Sequence, residues 1–91
     1  MKAIATVQLD NDRVIVTEYR FPPGADTGYH VHQHDYVVVP LTNGIFRLEE
    51  ASGTRDAQLS VGVSYTRQAG VAHNVINANA FEFVFIEIEL K

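Results

Sequence analysis

No cysteine occurs in this chain, so no disulfide supports the fold and no thiolate is available as a metal ligand. Basic charge is sparse too: seven Lys and Arg against eleven Asp and Glu leave a net charge of −4. The cations are scattered and form no stripe or patch of the kind nucleic acid requires, and no run of like charge makes a tail. No apolar stretch approaches the roughly 18–20 residues of a membrane span. The segment Met1 to Leu9 is too short and too regularly interrupted for a signal peptide. Internal repeats, linkers and low-complexity segments are absent, and no segment reads as a convincing helix. The expectation is a single domain over residues 1–91 in the cytoplasm, engaging neither nucleic acid nor membrane. A domain of this size buries only about 60–70% of its unfolded surface, so a partner subunit would add stability.

What remains is a succession of strands separated by turns. Ala3–Leu9 ends at Asp10-Asn11-Asp12, and Arg13–Phe21 is stopped by Pro22-Pro23-Gly24. Val37-Val38-Val39 is followed by Thr42-Asn43-Gly44, a tight-turn signal, which predicts a hairpin back into Ile45–Glu49 with Phe46 and Leu48 facing the core. Ser52-Gly53 turns again before a short strand at Ala57–Ser60. Val63–Arg67 leads to Gly70, and His73–Ile76 returns. Phe81–Leu90 reads as the longest strand, with Phe81, Phe83 and Phe85 on one face and Val84, Ile86, Ile88 and Leu90 on the other. A strand apolar on both faces must be covered on both. Many short strands with Gly, Asn and Pro turns indicate a sandwich or barrel, and the two-sided strand predicts a homodimer through sheet edges or the outer face of the C-terminal region.

Every histidine falls in one of two short segments. His30, His32 and His34 alternate, and His73 follows the turn at Gly70. Side chains two apart on a strand share a face with Cα atoms roughly 7 Å apart, so two imidazoles can converge on one ion at about 2.0–2.1 Å. A fourth from a neighbouring strand would close the site. If the strand stays regular, His34 shares the face of His30 and His32 and is a fourth ligand; a bend after His32 sends it elsewhere, toward a carboxylate such as Asp35.

These segments resemble the two motifs of the cupin superfamily. The first motif has a glycine, five residues, His-x-His, three or four residues, a glutamate, six residues and a glycine; here Gly24 precedes His30-Val31-His32 and Gly44 closes the stretch. The second runs from Gly62 through Gln68-Ala69-Gly70 to His73 and Asn77. Together they span more than half the chain. The resemblance implies a small jelly-roll β-barrel, with His30, His32 and His73 as metal ligands at its open end and frequent dimers. It implies no single activity, since cupins include dioxygenases, isomerases, storage proteins and sensors. Two departures stand out. Gln68 replaces a proline, a small change because Gly70 still makes the turn. The glutamate ligand is missing: its position falls on Tyr36 or Val37, depending on the spacing.

The candidate ligand set is therefore His30, His32, His73 and His34, holding a divalent transition metal: zinc, iron, nickel, manganese or copper. With no carboxylate among the ligands, the ion keeps its full charge and attracts hydroxide or an anionic oxygen. Tyr36, Val37, Tyr65 and Arg67 are the candidate pocket residues, Arg67 for an anionic group. For Tyr36 the alternative is core packing, and for Arg67 a solvated surface. Two functions fit these residues: a metal-dependent enzyme, dioxygenase- or isomerase-like, on a small oxygen-rich or anionic molecule, and a non-catalytic small-molecule-binding or sensory module. A metal-free structural protein is a third reading. No general base stands out.

Overall fold

The computed structural model describes residues 1–91 and contains nine strands and no helix: β1 (Ile4–Asp10), β2 (Val14–Phe21), β3 (His30–Val31), β4 (Asp35–Pro40), β5 (Gly44–Glu50), β6 (Gly53–Leu59), β7 (Tyr65–Arg67), β8 (Ala72–Asn77) and β9 (Phe83–Leu90). No helix is long and apolar enough to cross a membrane. The strands form two antiparallel sheets, ordered β1-β2-β9-β4-β7 and β3-β8-β5-β6. Asn11 closes the first hairpin by accepting the backbone N–H groups of Arg13 and Val14 at 2.8 and 3.0 Å, as Asn side chains do in tight turns.

Alternation decides which side chains are enclosed. Along β9, Phe83, Phe85 and Glu87 share one face, and their register partners Phe21, Tyr19 and Thr17 on β2 share it with them. Phe21, Phe83 and Phe85 pack with Tyr36, Val38, Phe46, Leu48, Leu59 and Val75 into one core between the sheets. Phe21, Phe46 and Phe85 lie with ring centroids 5.3–5.5 Å apart, in the range where aromatic pairs add to simple burial. On β5, Phe46 and Leu48 point inward and Arg47 and Glu49 outward, as the sequence pattern predicts.

The hairpin expected across Thr42-Asn43-Gly44 does not form. β4 pairs with β7 and β9, whereas β5 pairs with β6 and β8. The turn carries the chain from one sheet to the other, because β4 already has a neighbour on each side. Gly44 serves this crossing through space rather than through an unusual φ: a Cβ there would lie 2.9 Å from the Phe83 ring and 2.8 Å from the Asn79 side chain. The hairpin that does follow joins β5 to β6, a strand longer than the Ala57–Ser60 segment expected. The last strand begins at Phe83, so Phe81 lies outside it and is exposed.

Candidate metal centre

His30 and His73 face each other directly as register partners on β3 and β8. The chain leaves regular strand geometry after Val31, and His32 is held there by two backbone hydrogen bonds. Its N–H donates to the Val71 carbonyl at 2.9 Å, and its own carbonyl accepts the Gly70 N–H at 2.8 Å. Gly70 makes that second bond at φ +95°, a conformation other residues adopt only with strain. The turn before His73 thus clamps His32 beside it.

The three ring nitrogens converge. Nε2 of His32 lies 2.9 Å from Nε2 of His30 and 3.1 Å from Nε2 of His73, and these three are the residues whose ligand atoms group closely enough to hold an ion. The Nδ1 of His30 is 2.8 Å from the Gly28 carbonyl. A carbonyl only accepts, so Nδ1 carries the proton and Nε2 presents a lone pair. Backbone anchoring of the far ring nitrogen is the usual companion of a metal-ligating histidine.

With that tautomer fixed, no arrangement of neutral rings makes both short contacts ordinary two-centre hydrogen bonds, because the single Nε2 site of His32 would have to serve both neighbours. One cation between the rings satisfies all three. Two nitrogens each bound at about 2.05 Å stand about 2.9 Å apart at a right angle and about 3.3 Å apart at the tetrahedral angle. The two spacings to His32 fall in that interval, and all three ligand atoms lie within 4.8 Å of one another. Burial, with its neighbour His30, also pushes the imidazoles of His32 and His73 down to about 4, so both rings are neutral and able to ligate at ordinary pH. The donor set fits a divalent ion.

His34 does not join the group. The chain bends at Gln33 and His34, which breaks the alternation that would have aligned the third histidine, and Asp35 accepts the Ala69 N–H at 2.8 Å instead of a histidine. His34 lines a neighbouring hollow with His30, His32, Tyr19 and Glu87.

Beside the triad is a cavity of about 320 Å³, walled by His30, His73, Tyr36, Tyr65, Arg67 and Glu87 together with apolar residues including Val38, Leu48 and Val63. Three of the pocket residues read from the sequence therefore face it. Val37 does not: its neighbours Tyr36 and Val38 point inward, so Val37 points to the outer face, opposite Ile88. Of the two positions where the glutamate was expected, Tyr36 is the inward one. Its ring stacks on His32 with centroids 3.9 Å apart. Burial, followed by the Glu87 charge, pushes its phenol well above the usual tyrosine range.

Sequence reasoning missed Glu87. It is 4% exposed, and its Oε2 has no hydrogen-bond partner. Burial, with a smaller contribution from Glu89, pushes its carboxyl up to about 7, against a lowering by Tyr19. Tyr19 in turn is raised to about 12 by burial and by these same carboxylates. The available signal was alternation, since Glu87 continues the face of Phe83 and Phe85, which is the interior.

A two-sheet antiparallel barrel with a histidine triad at the side of an internal cavity defines a class of proteins. No protein-family model matches the chain. A crystal structure of a cupin domain from Bordetella pertussis superposes with a TM-score of 0.98 at 61% identity, over 99% of this chain and 94% of that one. A double-stranded β-helix protein from Klebsiella pneumoniae shares the fold alone, at 21% identity and a TM-score of 0.81 over 98% of this chain and 76% of the other. The chain belongs to the cupin superfamily. Among curated proteins it is similar to the β-alanine degradation protein BauB of Pseudomonas aeruginosa. The two are 61% identical over 90 residues, 99% of this chain and 95% of that protein.

Proposed function

We propose that the protein is a metal-dependent cupin enzyme acting on a small carboxylate-bearing molecule in the breakdown of β-alanine. The observation that carries this reading is the grouping of His30, His32 and His73 beside a cavity, with the Nε2 atoms of His30 and His73 2.9 and 3.1 Å from that of His32. The breakdown of β-alanine is suggested by the similarity to BauB. A bound zinc, iron, nickel, manganese or copper ion would supply Lewis acidity or redox chemistry and attract an anionic oxygen. The chain's own residues prepare the rest. Gly28 fixes the His30 tautomer. Val38, Leu48, Leu59 and Val75 make the cavity wall apolar, which lowers the local dielectric and strengthens every charge interaction inside. Arg67, whose guanidinium sits 5.2 Å from the centre of the Tyr65 ring, offers a fixed positive charge to a substrate carboxylate.

The test is elemental analysis of protein purified without a histidine tag, paired with a turnover screen of short carboxylates. About one ion per chain is expected in the wild type. His73→Ala should weaken retention by about 10-fold or more, with its fold checked by circular dichroism. Metal retention by H73A equal to wild type would overturn the site. Turnover unchanged after metal is removed would overturn its role.

A further inference from the structure

Between the strand that carries His73 and the segment that carries His30 sits a half-buried hydroxyl, that of Thr27. Thr27 joins β8 through its backbone, its N–H donating to the Val75 carbonyl at 3.0 Å. Its Oγ1 accepts the Val75 N–H at 3.1 Å. The same oxygen stands 3.3 Å from Nδ1 of His30, 2.9 Å from the Gly28 carbonyl and 3.5 Å from Oδ1 of Asn74. The Asn74 amide is oriented from a third strand. Glu49, its register partner on β5, accepts its Nδ2–H at 2.8 Å, so the amide oxygen is the atom turned toward Thr27.

A hydroxyl has one proton to give and two lone pairs to fill. The Gly28 carbonyl and Asn74 Oδ1 only accept, so the Thr27 proton goes to one of them. Its lone pairs then face two N–H groups, those of Val75 and of His30 Nδ1. Thr27 is thus a second acceptor for the ring nitrogen that the Gly28 carbonyl holds at 2.8 Å. That nitrogen needs the help, because the proton has a competing position. On Nε2 it would be donated to Nε2 of His32 at 2.9 Å, and His30 would lose the lone pair that an ion needs. A ring turned half-way round about its Cβ–Cγ bond would put carbon against both oxygens. Two acceptors at Nδ1 oppose both alternatives.

We infer that Thr27 is a positioning residue of the metal centre: its hydroxyl keeps the His30 proton on Nδ1 and holds the ring with Nε2 aimed at His32 and His73. This rests on the proposed function for the purpose of that aim, while the placement of the proton belongs to the metal-free protein as well. The bond to Val75, two residues beyond His73, makes the same hydroxyl a tie between the two ligand-bearing segments. Polar groups that orient a ligating histidine are worth about 10–100-fold in metal affinity. Chemistry rather than shape decides here, since valine has the outline of threonine and cannot accept a hydrogen bond.

Thr27→Val and Thr27→Ser, made in untagged protein, test this. In metal-free protein at about pH 8, above the ordinary imidazole range, the ring nitrogen chemical shifts of His30 report which nitrogen carries the proton. Wild type and T27S should carry it on Nδ1. T27V should raise the Nε2–H share by about 5-fold, the size expected for one hydrogen bond. Competition with a chromophoric zinc chelator should show T27V binding zinc about 10-fold more weakly, with T27S close to wild type. Loss of the Val75 bond lowers thermal stability whatever the role of Thr27, so the tautomer is the readout that separates positioning from packing. Should T27V not fold, Thr27→Ala removes the same oxygen without putting a methyl group in its place. A wild-type proton on Nε2, a tautomer unchanged in the variant, zinc affinity equal to that of a zinc-binding wild type, or T27S as impaired as T27V would overturn the inference. A shifted tautomer in a protein whose wild type takes up no zinc upholds the placement of the proton and removes the metal-centred function alone.

Discussion

Glu87 carries a stability cost that its pH dependence should expose. Its folded-state pKa, about 7, lies above the ordinary 4.5, so between those values the native protein holds a proton that the unfolded chain has released. Stability from this group is fully present below about pH 4.5 and is lost as pH rises to about 7. His32 and His73, pushed down to about 4 from 6.5, act in the opposite sense, and their contribution is lost as pH falls from 6.5 toward 4. Comparing E87Q with wild type cancels the histidine contribution. E87Q is expected to be more stable by roughly 2–3 kcal/mol at pH 8, about 10 °C in Tm, with the gain vanishing at pH 4.5. Thermal denaturation at the two pH values measures it, and a gain of the same size at both would show that charge at Glu87 is not the cause. The same residue shows why the site was only partly readable in the sequence. Histidines at family spacing advertise themselves through residue type. A glutamate in Glu87-Ile88-Glu89 looks like a solvated strand end until one knows which face of β9 is enclosed.

Strand and turn placement was mostly readable, because each rests on local chemistry: alternation in β2, β5 and β9, and Asn, Pro and Gly at the breaks. What failed was pairing. Thr42-Asn43-Gly44 has the composition of a hairpin turn, but the partner of β4 is chosen by the barrel. β9 and β7 occupy both its edges, and no local signal reports that. Likewise, the bend after His32 that removes His34 from the ligand group depends on backbone bonds to Gly70 and Val71, distant in sequence. Asn77 shows the same long-range logic at the end of β8. The sequence places it at the end of the second motif. In the fold its amide donates to the carbonyls of Phe21, Pro22 and Phe81 at 3.0, 3.3 and 2.8 Å, and its oxygen accepts the Asn79 N–H at 2.9 Å. It ties the end of β2 to the entry of β9. Asn77→Ala strands one buried and three part-buried backbone groups, and a buried group left unsatisfied costs about 1–3 kcal/mol, so a loss of about 3 kcal/mol is expected in urea denaturation. A loss under about 0.5 kcal/mol, the level of ordinary surface changes, would show that these carbonyls find other partners.

The molecule's outer surface is where Val37 belongs. On the five-stranded sheet Val14 and Val16 of β2, Ile86 and Ile88 of β9, and Val37 and Val39 of β4 all point away from the cavity and remain half-buried. Ile4 and Leu9 of the edge strand β1 add exposed apolar surface beside them. No second sheet or helix covers this face, and a contiguous apolar patch of that kind marks an interaction surface. The strand apolar on both faces that the sequence predicts is thus covered on one side by the barrel core, and the expected occupant of the other is a second copy meeting it face to face. Such a contact is isologous about a twofold axis, and each buried Ile or Val would contribute about 1.5–3 kcal/mol when fully removed from water. Sedimentation at micromolar concentration should give a dimer. Ile88→Lys, which places a charge at the centre of the patch and touches nothing in the cavity, should give a monomer that keeps its metal. A wild-type monomer would remove the interface. An I88K variant that stays dimeric would move it to the β1 edge, where Ile4, Val7 and Leu9 are the remaining exposed apolar side chains.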